Sequence, residues 1–158
     1  GKPVTPEVAA TVADMVAASG DDGVLTVVSR EGAGWRMSLG SSGGDLSGEV
    51  QPDLLVTKRV NSAFHGDPDL EPWLTDKGIE GIVVCGIQTN RCCETTARVG
   101  ANLGFEMSFA IDATHTFDLD DHEGGTIAAD ELARVTAANL DPEFGRVLTA
   151  AEAIAELR

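Results

Sequence analysis

Basic residues are scarce in this sequence. Lys and Arg number 11 against 26 Asp and Glu, a formal charge of −15 with histidine neutral. Nucleic acids and anionic membranes bind basic surface, so this deficit argues against both as partners. It favours solubility, and it repels anionic substrates at long range unless cations gather locally. Cysteine is rare too. The three residues, Cys85, Cys92 and Cys93, are too few, too close and odd in number for a disulfide framework. They suit a reducing compartment, and a cytoplasmic location is expected. No apolar run is long enough to span a bilayer, and no signal-peptide pattern opens the sequence. No internal repeat or low-complexity tract stands out; the cluster Gly40-Ser41-Ser42-Gly43-Gly44 is a short loop tip.

What is present is a chain of 158 residues, 42% of them apolar, enough for one core of ordinary size. Thr5-Pro6-Glu7 reads as a helix start, followed by Val8, Val12, Met15 and Val16 at helical spacing. Val24–Val28 is strand-like, and residues 29–52, with Trp35 and Met37, form a long polar loop. Leu54–Thr57 is the next strand, with Lys58 at its carboxyl end; Asn61–Phe64 and Asp67-Pro68 form a turn. A short helix over Leu70–Lys77 stops at Gly78, and Met107–Ile111 is a strand closed by Asp112-Ala113. Phe117–Gly125 reads as an acidic loop, its charge run a solvated face. Thr126 opens a helix with Ala128, Leu132, Val135 and Ala138 on one face. After the short strand Arg146–Leu148, Thr149 and Glu152 have the spacing of a capping box for a terminal helix. Apolar strands alternating with helices predict βαβ units, a mostly parallel sheet and helices on both faces. Sites in such folds lie at the carboxyl ends of the strands.

The chain is organised around Ile82–Phe105. Ile82–Cys85 is an apolar run of strand length, Gly86 breaks it, Thr89 or Asn90 is placed to cap a helix, and Gly104 stops that helix. Cys92 falls in or beside the first turn, where free N–H groups and the helix dipole bias a thiol toward thiolate. A thiolate between strand and helix is the arrangement of a nucleophilic hydrolase.

The residues Gly86-Ile87-Gln88-Thr89-Asn90-Arg91-Cys92-Cys93-Glu94-Thr95-Thr96-Ala97 resemble the isochorismatase-like cysteine hydrolases, whose pattern is Gly-x-x-Thr-x-x-Cys-Val-x-x-Thr-Ala. Lys58, then Ser62-Ala63-Phe64, then the strand ending Asp112-Ala113 match that family in order, so the likeness covers nearly the whole chain. It implies a single three-layer α/β/α domain over residues 1–158, doubly wound in the Rossmann-like manner. It also implies a Cys–Lys–Asp triad with Cys92 as nucleophile and Lys58 as its cationic partner. A cis peptide at Ile87–Gln88 is implied as well, aiming the N–H groups of Gln88 and Cys92 at one oxyanion. One departure stands out. The family carries the triad aspartate on a central first strand, in a pattern like Ile-Asp-x-Gln, and nothing before Thr5 fits it. The expectation is that this strand is missing from the sequence or supplied by another chain.

Around that core, Phe64 and Trp35 are candidate aromatic walls for a small planar substrate, each against a reading as ordinary packing, or for Trp35 a subunit contact. His115 is a candidate lining residue, against a reading as a satisfied surface histidine. Cys85 reads as a core strand residue and Cys93 as a buried neighbour of the nucleophile. No cofactor is expected. A metal site needs converging His and Asp. Some nicotinamidases hold these in the loop after their second strand, and the corresponding loop here, residues 29–35, has no His. The substrate is thus expected to be a small molecule with an amide or related C–N bond, the alternatives being vinyl-ether hydrolysis of isochorismate and a catalytically silent assembly module. The family likeness implies a homodimer or homotetramer.

Overall fold

The computed structural model describes residues 26–30 and 53–156, with the backbone alone at 26–30, Leu55 and Glu156. The elements run β1 (Thr26–Arg30), β2 (Leu54–Lys58), β3 (Gly66–Asp67), α1 (Leu70–Asp76), β4 (Gly81–Ile87), α2 (Glu94–Asn102), β5 (Glu106–His115), β6 (Leu119–Asp120), β7 (Thr126–Ile127), α3 (Ala129–Leu140), β8 (Arg146–Leu148) and α4 (Ala150–Glu156). β1 and β2 are parallel, with Arg30 opposite Lys58. β4, β5 and β8 form a second parallel set, in that order. Among the described residues no ladder joins the two sets. The sequence-predicted first helix lies outside the described residues; of the loop expected over 29–52, Ser29 and Arg30 belong instead to β1, where they pair with Thr57 and Lys58, and the rest lies outside the described residues.

Strand periodicity explains the layers. Successive side chains of β4 point to opposite faces. Val84 packs with Ala97 of α2, Leu140 of α3, and Met107 and Phe109 of β5. Val83 and Cys85 turn the other way, onto Ala110, Ala113 and the α4 residues Ala150 and Ala153. Helices therefore cover both faces of the β4–β5–β8 set, the three-layer α/β/α arrangement. A third cluster, built on Val56, Phe64, Leu70 and Leu74, carries β2 and α1 onto Ile82, Val99 and Phe105.

Several local expectations change. The turn after Lys58 is a 3-10 turn over Ala63–His65, with Ser62 Oγ accepting from Phe64 N, followed by β3 antiparallel to β2. The acidic loop is a hairpin: β6 pairs with β7, and Asp121 Oδ1 accepts from the N–H groups of Glu123 and Gly125. Thr126 consequently belongs to β7, and α3 starts at Ala129. Its buried positions are Thr136 and Leu140, while Val135 is 45% exposed. The helix is rotated because the Thr136 hydroxyl donates to Glu94 Oε2 at 2.8 Å, drawing a polar residue into the interface. β5 does not close at Ala113 but runs on to His115. Its register against β4 shifts between Val84 and Gly86, so Gly86 faces Thr114 and Ile87 faces His115. The capping box at α4 forms as expected, with Glu152 Oε2 accepting from Thr149 N and Oγ1, and Asp112 Oδ1 adds a bond from Ala150 N.

Gly145 leads into β8 with φ +155, and a Cβ there would stand 2.8 Å from Met107 Cβ and 3.0 Å from its carbonyl carbon. Backbone cannot swing aside as a side-chain tip can. Gly145→Ala is expected to cost about 2–4 kcal/mol through overpacking and backbone strain. At Gly81 an added Cβ would meet only Glu106 O at 4.0 Å. Gly81→Ala should therefore stay within about 1 kcal/mol of wild type, given ordinary surface tolerance. Urea denaturation of the two variants tests the contrast, and equal midpoints would refute it.

Candidate active site

Between β4 and α2 the chain makes one π-helical turn, Thr89–Cys93, and Cys92 sits within it. Gly86, φ +113, lets β4 bend just before this turn, a conformation that residues with a Cβ rarely adopt. The Ile87–Gln88 peptide is cis. The turn closes on the Gln88 carbonyl, which accepts from Arg91 N at 3.2 Å and Cys93 N at 3.1 Å. Gln88 occupies the N-cap position without a side-chain bond.

Thr89 and Asn90, the expected caps, do something else. Thr89 is buried, and its hydroxyl donates to Thr114 Oγ1 at 2.9 Å; that hydroxyl in turn donates to the carbonyl of Ile111. Thr116 Oγ1 donates to Asn90 Oδ1. The register shift in β5 brings these threonines beside the turn, and a buried hydroxyl needs a partner. The turn carrying Cys92 is thus fastened sideways to the end of β5. Shifts of strand register of this kind often re-aim side chains next to active sites.

Lys58 ends β2 on the same rim and is only 5% exposed. Its ammonium donates to the carbonyls of Val60 (2.8 Å) and Asn61 (2.9 Å). The same Asn61 meets the nucleophile candidate: the Cys92 thiol approaches Asn61 Oδ1 at 3.9 Å, a long contact of the kind sulfur makes. Lys58 and Cys92 are therefore brought to one place, with Asn61 between them. The segment is held against α2, since Ala63 N donates to Thr96 Oγ1 at 3.1 Å.

The other two thiols are set apart by burial. Desolvation pushes Cys85 up to about 11. It raises Cys93 well above the ordinary thiol range, helped by repulsion from Cys85 and Cys92 and opposed by the Lys58 ammonium. Cys93 Sγ points to the Cys85 carbonyl at 3.8 Å, so this thiol faces the sheet. All three cysteines are free.

The remaining candidates divide. His115, half-buried at the end of β5, lies edge-on to Phe117 with ring centroids 4.9 Å apart, on the same rim as the turn. Phe64 is a core residue, 7% exposed and stacked on Phe105 at 5.6 Å. With Met107 it packs over Gly100, where an added Cβ would lie 2.6 Å from Met107 Sδ and 3.1 Å from the Phe64 ring. Trp35 lies outside the described residues. Asn61 was invisible as a site residue in the sequence. It sits in a turn three positions past Lys58, and only the tertiary approach of the turn carrying Cys92 gives its side chain a role. A cavity of about 680 Å³, lined by residues such as Gly81, Phe105, Met107, Glu143 and Phe144, opens at the amino ends of β4, β5 and β8, away from Cys92. Among the described residues, no group of three His, Cys, Asp or Glu is arranged to hold a metal ion, and no helix is long and apolar enough to cross a membrane.

Known proteins resemble this chain in sequence and fold. The sequence profile of the isochorismatase domain matches residues 2–152. An isochorismatase-family protein of Bacillus subtilis, YrdC, is 34% identical over 100 residues, 63% of this chain and 53% of its own length. Nicotinamidase 3 of Arabidopsis thaliana is 41% identical over 80 residues, 50% of this chain and 40% of that protein. The chain thus matches about half the length of these curated relatives, or less. A solved structure from Chromobacterium violaceum, assigned to a hydrolase of the isochorismatase family, superposes with a TM-score of 0.76 at 30% identity. It covers 96% of this chain and 81% of its own.

Proposed function

The chain belongs to the isochorismatase family, and from that premise we propose that it is a cysteine hydrolase of small amides or related C–N bonds. The observation that carries this reading is the meeting of Lys58 and Cys92 through Asn61 at the carboxyl rim of the strands. A nicotinamidase among the relatives supports an amide as the bond cleaved. In the proposed reaction the Cys92 sulfur attacks the substrate carbonyl carbon, and the carbonyl oxygen takes up negative charge facing the N–H groups of Gln88 and Cys92. Collapse of that adduct expels ammonia or an amine, which takes up a proton. Water then attacks the thioester carbonyl, releasing the acid and restoring the thiol. Lys58 holds negative charge on the sulfur by Coulombic attraction. In the family the triad aspartate accepts the thiol proton. His115, at the end of β5 on the same rim, is read as a lining residue for the substrate.

Retaining a cysteine favours amide over vinyl-ether cleavage, because the latter does not need a thiol nucleophile. The test is direct: the protein is offered a panel of small primary amides, with release of ammonia as readout, and isochorismate in parallel. Ammonia release with no turnover of isochorismate is the expected result. Turnover of isochorismate alone would overturn the amide reading, and silence toward both would leave an assembly module. Iodoacetamide labelling of the folded protein near pH 8 adds a check, since Cys92 should take the label while Cys85, pushed up to about 11, and the buried Cys93 stay unmodified.

A further inference from the structure

We propose that Asn61 is a switching partner of the Cys92 sulfur, accepting from the thiol and donating to the thiolate, while its own carbonyl holds the Lys58 ammonium. For its catalytic meaning this rests on the hydrolase reading above. The geometry is that of one residue touching both members of the pair: its backbone oxygen lies 2.9 Å from Lys58 Nζ and its side-chain oxygen 3.9 Å from Cys92 Sγ. An asparagine amide offers an acceptor on one side and two donors on the other. A thiol can give a hydrogen bond to the oxygen. A thiolate can only accept, so a half-turn of the amide about its last torsion would present Nδ2–H to the sulfur. Hydrogen bonds to a charged acceptor are shorter and stronger than neutral ones, so the long contact should tighten when the sulfur is charged. The flanking bonds hold Asn61 in reach throughout, with Ser62 capping the 3-10 turn and Ala63 tied to Thr96. The side chain can then rotate while the backbone carbonyl stays on Lys58.

The charged and titratable groups on the segments meeting at Cys92 are Lys58, Arg59, Arg91, Cys93, Glu94 and His115. Glu94 is already held by Arg98, Thr136 and Asn139. His115 lies against Phe117, and Cys93 is buried and held neutral. Asp130, Glu131 and Arg134 of the neighbouring α3 are exposed. None of these is altered by changing Asn61, so a shift in the behaviour of the sulfur reports the amide itself.

The experiment measures the rate of Cys92 alkylation by iodoacetamide against pH, with the adduct located by peptide mass, in wild type, Asn61→Leu and Asn61→Asp. Asn61→Leu is expected to move the half-maximal pH up by about one unit, about tenfold slower near neutrality, with the alkaline plateau unchanged. Asn61→Asp is expected to move it further, because a carboxylate beside the sulfur opposes the thiolate. An unmoved profile in Asn61→Leu, or a lowered plateau with an unmoved midpoint, would overturn the proposal, since either leaves the amide with at most a steric role. If the leucine variant fails to fold, Asn61→Ala carries the same expectation with less bulk. Alkylation needs no substrate, so the two readings fail separately. A moved profile in a protein that cleaves no amide sinks the hydrolase reading alone, and an unmoved one in an active amidase sinks the role of Asn61 alone.

Discussion

Cys92→Ala is expected to lower the rate of amide hydrolysis by at least about 10³-fold while leaving the thermal midpoint close to that of wild type. The reason is chemical on one side and structural on the other. Without the sulfur there is no atom to form the thioester, and water must attack the amide unaided except by the donors of the turn. Cys92 is half-exposed and its hydrogen bond to Asn61 is long, so little packing is lost with it. Cys92→Ser is expected to fall nearly as far. It keeps a hydrogen-bonding group of similar shape, yet a serine hydroxyl is a far weaker nucleophile unless a dedicated base activates it. Steady-state ammonia release checks both variants. Activity in Cys92→Ala within tenfold of wild type would mean that the substrate is cleaved without a thioester. The matching variant Cys93→Ala should do the reverse. Its thiol is buried against the sheet beside Val84, Ala97 and Leu140, so its loss should cost stability rather than chemistry.

The strand, turn and helix that carry Cys92 were legible because three local signals agree there: a run of β-branched residues, a glycine, and helix spacing up to Gly104, whose φ is +96. Lys58 was legible for the same reason, at the end of another short apolar strand. What could not be read was long-range. The roles of Thr89 and Asn90 depend on where β5 shifts register, and nothing in the composition of Phe109–Thr114 announces that shift. Hydropathy alone puts Val135 on the inner face of α3, yet it is 45% exposed. In the folded chain a half-buried carboxylate, Glu94, outbids the valine by offering Thr136 a charge-assisted bond. The hairpin after Phe117 hides for a different reason. Its two strands have two residues each, too short for periodicity, and it is held by the Asp121 side chain rather than by an apolar face. Phe64 illustrates a further limit. An aromatic next to a catalytic motif reads as a pocket wall, but Phe105, 41 positions later, stacks on the ring and holds it in the core beside Val56, Leu70 and Leu74.

Lys58→Met is expected to reduce turnover by about 10²-fold or more, with the loss falling on kcat rather than on KM. Methionine has nearly the same length and an unbranched stem, so the 5% exposed slot at the end of β2 stays filled while the charge goes. Two opposing terms then decide stability. The carbonyls of Val60 and Asn61 lose a charged donor, which costs at most about 1–3 kcal/mol since Val60 is exposed and water can replace part of it. Against this, the penalty for burying an ammonium disappears, and exchanging a buried charge for a well-packed apolar group is often neutral. The net change should stay within about 2 kcal/mol, small enough for a folded variant at room temperature. Activity has no such offset, because methionine brings no positive charge to those two carbonyls beside the sulfur. Lys58→Arg separates charge from fit. The guanidinium keeps the charge but is planar and bulkier, and it cannot place a single point charge on both carbonyls as the ammonium does. It is expected to fall between wild type and methionine in kcat, and to slow iodoacetamide labelling of Cys92 near neutral pH less than methionine does. A methionine variant that turns over at the wild-type rate would show that the buried ammonium serves the loop alone, and the pairing of Lys58 with Cys92 would have to be given up.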